Sequence, residues 1–345
     1  AVPIERRAQS IRAKEASSAD YEGVLPVIER MQFPLGYVWG VAGHLNGVKN
    51  GDELREAYES NQPKVVESMT KFSQSKPLYD ALSAIQKQWD FEESKSDECD
   101  SFLQKQRRRA LENSLLGMKL GGVGLEGAEK ERFNEIKQKL AKLSMTFSNN
   151  VLDDTKAFSH VVEDAAVMEG VPASAKAQWA QSYLQSKKDD DDSEALSLEE
   201  ATEKGPWRIT LDIPSYLPAM SHIGDRGVRE LLYRASVGKA AEKSDGKNNI
   251  PLIYEILTLK QEMAKLLGFS NYAELSLAKK MAPGVESVTE FTDLMAEKAV
   301  PAAKQELEEV TALARSKGGD EYSEENLAKL APWDVTYWVR RYEMD

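Results

Sequence analysis

The side chains best suited to acid–base or metal chemistry are few: three histidines, His44, His160 and His222, and one cysteine, Cys99. A hydrolytic zinc helix needs imidazoles at i and i+4 on one face, with a glutamate between them to activate water. None of the three has a second histidine within five residues. Each is therefore expected to be a hydrogen-bonding residue of the surface or core. Cys99 lies among Asp97, Glu98 and Asp100, which disfavour a thiolate. Alone it can form neither an intrachain disulfide nor a cysteine-based zinc site. Arg107, Arg108 and Arg109 could touch an anion, but consecutive residues on a helix point in different directions, so a solvated face is expected. Gly121-Gly-Val-Gly suggests a phosphate cradle only superficially. It follows a helical pattern, lacks the P-loop Lys-Ser/Thr and does not complete G-x-G-x-x-G, so a helix-to-helix turn is expected. No G-x-S-x-G elbow occurs. Lys187-Lys-Asp-Asp-Asp-Asp-Ser-Glu reads as a solvated loop, because a calcium site needs spaced oxygen ligands and a turn glycine.

The elements that would position such groups are mostly helical. In Glu129–Leu143 the apolar residues Phe133, Ile136, Leu140 and Leu143 recur at three- and four-residue spacing, which places one stripe against a core. The same spacing runs through Ile253, Ile256, Leu257, Leu259, Met263 and Leu266. It recurs through Phe291, Leu294, Met295, Ala299, Leu307 and Val310, with an interruption or kink expected near Pro301. Asn50-Gly-Asp-Glu can open a helix, and Gly268 and Gly318-Gly can close two others. About ten helices are expected. Only Ser159–Asp164 and Trp207–Asp212 alternate as strands, and they could pair as a two-stranded ribbon.

The chain of 345 residues is long enough for a substantial core. Its formal charge of −12 opposes binding to nucleic acid or an anionic membrane. No run approaches the ~18 apolar residues of a membrane span, and Ala1-Val-Pro-Ile-Glu-Arg-Arg lacks a signal-peptide pattern. A transit peptide removed earlier would leave no record, so a soluble protein of the cytoplasm or of a plastid or mitochondrion is expected. The composition divides the chain into a helical region 1–158, a ribbon and acidic-loop insertion 159–212, and a second helical region 213–345. Exposed backbone is expected within Lys187–Gly205.

Several stretches resemble the thimet-oligopeptidase-like family of zinc metallopeptidases, in its oligopeptidase A branch. They are His44-Leu-Asn-Gly-Val-Lys-Asn, Glu53-Leu-Arg-Glu-Ala-Tyr, Phe147-Ser-Asn-Asn-Val-Leu-Asp-Asp-Thr, Thr210-Leu-Asp-Ile-Pro-Ser-Tyr-Leu-Pro, Arg229-Glu-Leu-Leu-Tyr-Arg-Ala, the segment Ala264–Ala282, and Pro332-Trp-Asp-Val-Thr-Tyr-Trp. The resemblance implies a mainly α fold, the multi-helix channel-wall half of a neurolysin-like ellipsoid, with the small ribbon attached. In the family the other half carries His-Glu-x-x-His and the zinc.

By that resemblance the chain is the N-terminal substrate-channel portion of a zinc oligopeptidase that hydrolyses short unstructured peptides. It ends at Glu343-Met-Asp, before the family's metal ligands, so no catalytic or metal residue is carried over and peptide-binding residues are left unassigned. Zinc is expected in the full-length parent and none on this chain, which is expected to be inactive alone. The expected partners are short peptides and the missing C-terminal catalytic half or a covering protein. Tyr216, Tyr272 and Asn149 lie in the family-like stretches and are read as structural. The last segment reads as an interrupted helix and the start as falling inside the family's first helix, which together favour a fragment of a longer enzyme. The alternative is a naturally truncated, non-catalytic homologue that acts as a peptide- or protein-binding module.

Overall fold

The computed structural model describes residues 20–93, 102–187, 196–241, 247–323 and 330–344; Cys99 and the acidic run 188–194 lie outside the described residues. Helices dominate, as the spacing of apolar residues requires. They are α1 (Tyr21–Val48), α2 (Asp52–Ser73), α3 (Lys76–Glu93), α4 (Phe102–Leu120), α5 (Gly127–Ala157), α6 (Ala173–Ser186) and α7 (Leu198–Lys204). These are followed by α8 (Ile213–His222), α9 (Arg226–Val237), α10 (Ile250–Leu266), α11 (Tyr272–Leu277), α12 (Val285–Lys317) and α13 (Pro332–Tyr342). Strands β1 (Ser159–Val162) and β2 (Trp207–Thr210) form the expected antiparallel ribbon, in the register His160 opposite Ile209 and Val162 opposite Trp207. Two expectations need correction. Helix α12 runs unbroken through Pro301. Within Lys187–Gly205, where exposed backbone is expected, Leu198–Lys204 forms α7, opened by a capping box in which the Ser197 hydroxyl accepts from the Glu200 N–H at 3.2 Å and Glu200 accepts from the Ser197 N–H.

The chain forms two compact units, one from 1–144 and 255–288, the other from 145–254 and 289–345. In the first, Val24 and Leu25 of α1, Leu78, Leu82 and Ile85 of α3, and Leu111, Leu115 and Met118 of α4 make a core. The glycine turn joins α4 to α5. Gly122 takes φ +85°, and a Cβ there would meet Phe133 at 3.1 Å, so both the backbone and the space call for glycine. Gln74 fixes the turn by donating to the Gly121 carbonyl at 3.2 Å and to Asn134 at 2.7 Å. Helix α5 is clipped to α10 by Arg132, whose Nε and Nη2 donate to the two Glu262 oxygens at 2.6 and 2.8 Å, and by the Lys139–Glu255 pair.

The second unit buries one face of the β2 alternation. Trp207 and Ile209 of β2 pack with Met168 of the 3-10 turn Ala165–Met168, with Trp179 and Ala180 of α6, with Ala219 and Met220 of α8, and with Leu232 of α9. Arg208 and Thr210 point the other way and are half-buried. Beside this core lies a charged knot. Arg229 of α9 is wholly buried and uses all five of its N–H groups. Nε donates to the Trp333 carbonyl at 3.2 Å, Nη1 to the Ile223 and Gly224 carbonyls at 2.8 and 2.7 Å, and Nη2 to Tyr322 Oη at 2.7 Å and Asp334 Oδ1 at 3.1 Å. Asp334, equally buried, also accepts from Arg226, Tyr322 and the Ala331 N–H. Burial pushes its carboxyl pKa up, but the hydrogen bonds from Arg226, Arg229 and Tyr322 together outweigh this and hold it below the usual carboxylate range. Truncating one partner of such a knot strands the other charge without compensation. Asp334→Ala is therefore expected to destabilise the second unit by about 3–5 kcal/mol, read as a lower urea midpoint.

Candidate functional site

The three histidines stand apart in the chain: His44 exposed on α1, His160 half-buried on β1, and His222 at the end of α8. Among the described residues no three His, Cys, Asp or Glu side chains are grouped as a metal would need. The donors among the described residues thus do not group as a zinc centre would need, and no hydrolytic step is routed through them. His222 has a definite electrostatic setting. Burial, then Arg340 and Arg341 of α13, push its pKa below the ordinary imidazole range. The three arginines of α4 do diverge. Arg107 pairs with Glu22 and lies 5.5 Å from the Tyr21 ring, Arg108 donates to Asp90 at 2.8 Å, and Arg109 is exposed.

The residues singled out in the family-like stretches take up packing positions. Tyr216 is packed against the second unit's core, where burial raises its pKa. The Tyr272 ring lies 4.7 Å from Lys260 Nζ. Asn149 is half-buried on α5. Its neighbour Asn150 donates to Asn249 at 2.8 Å, and Asn249 donates in turn to the Phe147 carbonyl at 3.0 Å.

What the sequence pattern did not reveal is where several apolar stripes point. On α1, Val24 and Leu25 are buried, but from Phe33 onward the stripe Phe33, Tyr37, Val41, Leu45, Val48 recurs every three or four residues and faces outward; Phe33 is 67% and Val48 68% exposed. Phe33 and Tyr37 stack with ring centroids 5.8 Å apart, while Trp39 turns inward onto Tyr58 of α2 at 4.2 Å. On α10, Leu259 is buried while Ile250, Ile253, Tyr254 and Leu257 are exposed. On α12 the spacing that predicts a core face delivers Val310 to the core, but Phe291 is 63% exposed and Leu294, Met295 and Leu307 are exposed too. Solvated helices do not ordinarily line up large apolar residues in this way, and extended exposed patches mark interaction surfaces. These stripes are the candidate functional feature of the chain.

Residues 5–130 match the family model described as Neurolysin/Thimet oligopeptidase, N-terminal domain, and residues 219–345 match Peptidase family M3. The sequence is 38% identical to Organellar oligopeptidase A, chloroplastic/mitochondrial, of Arabidopsis thaliana over 91% of this chain and 36% of that protein. It is 37% identical to Probable cytosolic oligopeptidase A of Arabidopsis thaliana, over 95% of this chain and 43% of the relative. To Oligopeptidase A of Haemophilus influenzae the identity is 38%, over 92% and 42%. The chain thus spans about two-fifths of the length of these relatives. Among the described residues no helix is long and apolar enough to cross a membrane.

Two outcomes follow from the geometry. Phe291→Ser should change stability by no more than about 0.5 kcal/mol, because the side chain is already in water, whereas Trp207→Ala in the core should cost about 3–5 kcal/mol; urea unfolding of both variants compares them. For His222, a pKa lower in the folded than in the unfolded chain means that the unfolded state binds the proton first. Its effect is therefore a loss of stability that begins as the pH falls through the unfolded value of about 6.5 and is complete below the folded one. His222→Gln should flatten the stability profile across that window.

Proposed function

We propose, for a chain that belongs to the oligopeptidase A branch of the thimet-oligopeptidase-like peptidases, that it serves as the helical channel-wall portion of a peptide hydrolase and is catalytically incomplete by itself. The observation that carries this reading is the set of outward apolar stripes on α1, α10 and α12. They are built like core faces, yet their large apolar side chains are exposed among the described residues. A polypeptide corresponding to the part of the longer relatives that has no counterpart here is the proposed cover.

In this reading the chain's own contribution is enclosure. Long helices restrict access to thin, unstructured peptides and keep folded proteins from the bond to be cut. Water activation and polarisation of the scissile carbonyl are assigned to a metal-bearing partner segment, in keeping with the lack of a grouped donor set among the described residues. The division into a helical region 1–158, an insertion 159–212 and a second helical region 213–345 is retained as part of the proposal, as is a site in the cytoplasm or in an organelle like those named for the plant relatives.

A quenched fluorescent peptide assay tests it directly. The isolated chain is expected to give no chelator-sensitive cleavage and to lose added zinc on dialysis. Co-expression with the C-terminal segment of an oligopeptidase A is expected to restore chelator-sensitive turnover. Zinc-dependent cleavage by the chain alone would refute the assignment.

A further inference from the structure

From Met31 to Val48, α1 runs 18 residues without an aspartate, glutamate, lysine or arginine, in a chain where such residues make up 30%. Four glycines lie in that stretch, Gly36, Gly40, Gly43 and Gly47, at spacings of four, three and four. At about 100° per residue they fall within about 60° of one another, a single line about three turns long on one side of the helix. Beside the line on one flank stand Phe33 and Tyr37, whose rings stack 5.8 Å apart. On the other flank stands Trp39, stacked at 4.2 Å on Tyr58 of α2. The face is a shallow groove with a floor of bare backbone between two aromatic pairs.

Glycine weakens a helix relative to alanine, because its backbone has more freedom to lose. A Cβ at Gly43 would meet Tyr58 Oη at 3.4 Å, but Cβ atoms at Gly36, Gly40 and Gly47 would meet nothing within 4 Å. Among the described residues, then, no contact calls for glycine at these three positions. The ridge beside them stands in water as well, with Tyr37 63% exposed and His44 also in the open. Empty space over the glycines and an exposed ridge of aromatic and aliphatic side chains have one common explanation, a body that comes close to the backbone along this line.

The absence of charge selects the occupant. An anionic surface or a nucleic acid would need cations, and a charged helix face would lose its hydration here without gaining a partner. An extended segment brings N–H and C=O groups that still need hydrogen bonds, and a helix face has none to give. A second helix arrives with its backbone bonds already made. Where glycines line the contact, two helices approach more closely than the usual interaxial distance of about 8–10 Å, and side chains of the incoming helix seat between the flanking aromatic pairs. We propose that the glycine line of α1 receives one α-helix of the covering polypeptide, in close contact along Gly36, Gly40 and Gly47 and through an uncharged apolar side. This rests on the reading of the chain as one portion of a longer hydrolase, and it adds the element that makes the join and the kind of surface that meets it.

Binding of the full chain to the immobilised C-terminal segment of the organellar oligopeptidase A of Arabidopsis thaliana tests the join. The wild-type chain is expected to bind, and Gly40→Leu to bind at least about tenfold more weakly. Because the space above Gly40 is open and leucine is the better helix former, the isolated variant should unfold at no lower urea concentration than the wild type, which separates lost docking from lost folding. Ser60→Leu, which adds the same side chain at an exposed position of α2, should bind like the wild type. Should Gly40→Leu lose its helical circular dichroism, Gly36→Ala and Gly47→Ala decide the matter, since each adds a single methyl group and should still weaken binding by about threefold or more. If the wild-type chain fails to bind the segment, the channel-wall reading falls and this inference with it. If it binds and the glycine variants bind equally well, this inference alone is overturned. A chain that sediments by itself as a dimer, and as a monomer with Gly40→Leu, would overturn it in favour of a second copy as the occupant.

Discussion

A guanidinium taken fully out of water is tolerable only if every N–H finds an acceptor and a carboxylate balances its charge, and the second unit is organised around meeting that condition at Arg229. Its partners come from three places in the chain. The Ile223 and Gly224 carbonyls stand at the bend between α8 and α9, the Tyr322 hydroxyl lies in the short 3-10 turn after α12, and the Trp333 carbonyl and Asp334 carboxylate open α13. Displacing any one of these elements would strip the arginine of part of its shell, so the requirement fixes all three together. Aromatic rings complete the enclosure. The Tyr337 ring lies 4.0 Å from the Arg229 guanidinium, and Arg226 sits over Tyr322 and Trp333 at 5.6 and 5.8 Å. The placement of α13 is thus set by charge satisfaction as much as by its apolar residues Val335 and Trp338.

The first unit solves its long-range joins differently. The Arg132–Glu262 and Lys139–Glu255 pairs between α5 and α10 are solvent-accessible, so salt screens them and side-chain freedom opposes them. There the weight falls on the apolar core of α1, α3 and α4 and on the glycine turn at Gly121 and Gly122. One unit is locked by a dry ionic centre, the other by packing with an ionic clip at its surface.

Much of this was legible in the sequence because periodicity is a local property. Trp207 and Ile209 announced their strand by alternation, and α5, α10 and α12 announced themselves by their stripes. The helix α7 was missed even though Ser197 and Glu200 have the spacing of a capping box, because the neighbouring acidic run drew the reading toward a loop. The direction of a stripe was not legible at all. Spacing says that Phe291, Leu294 and Met295 share a face, but it cannot say whether anything lies opposite. Nor could the pattern separate Arg229 from the solvated arginines, since its counter-charge lies 105 residues further along the chain. The family-like stretches held that information in another form. Arg229, Asp334, Asn150 and Asp154 belong to them, and all act in holding elements together, Asp154 by accepting from the Ala240 N–H at 2.6 Å.

The way the two units draw on the chain has a consequence for biogenesis. The first unit takes residues 255–288 as well as 1–144, so the ribosome must deliver the 110 residues from 145 to 254 before Leu259 and Ala264 can be buried and before Glu255 and Glu262 exist to meet α5. At typical elongation rates that interval is roughly 5–20 s, far longer than helix formation or collapse. The nascent chain must hold the amino-terminal helices part-assembled throughout, with the outward stripe of α1 already in water. In a molecule with this chain order that interval of partial assembly is a matter of topology, whatever the final strength of its core.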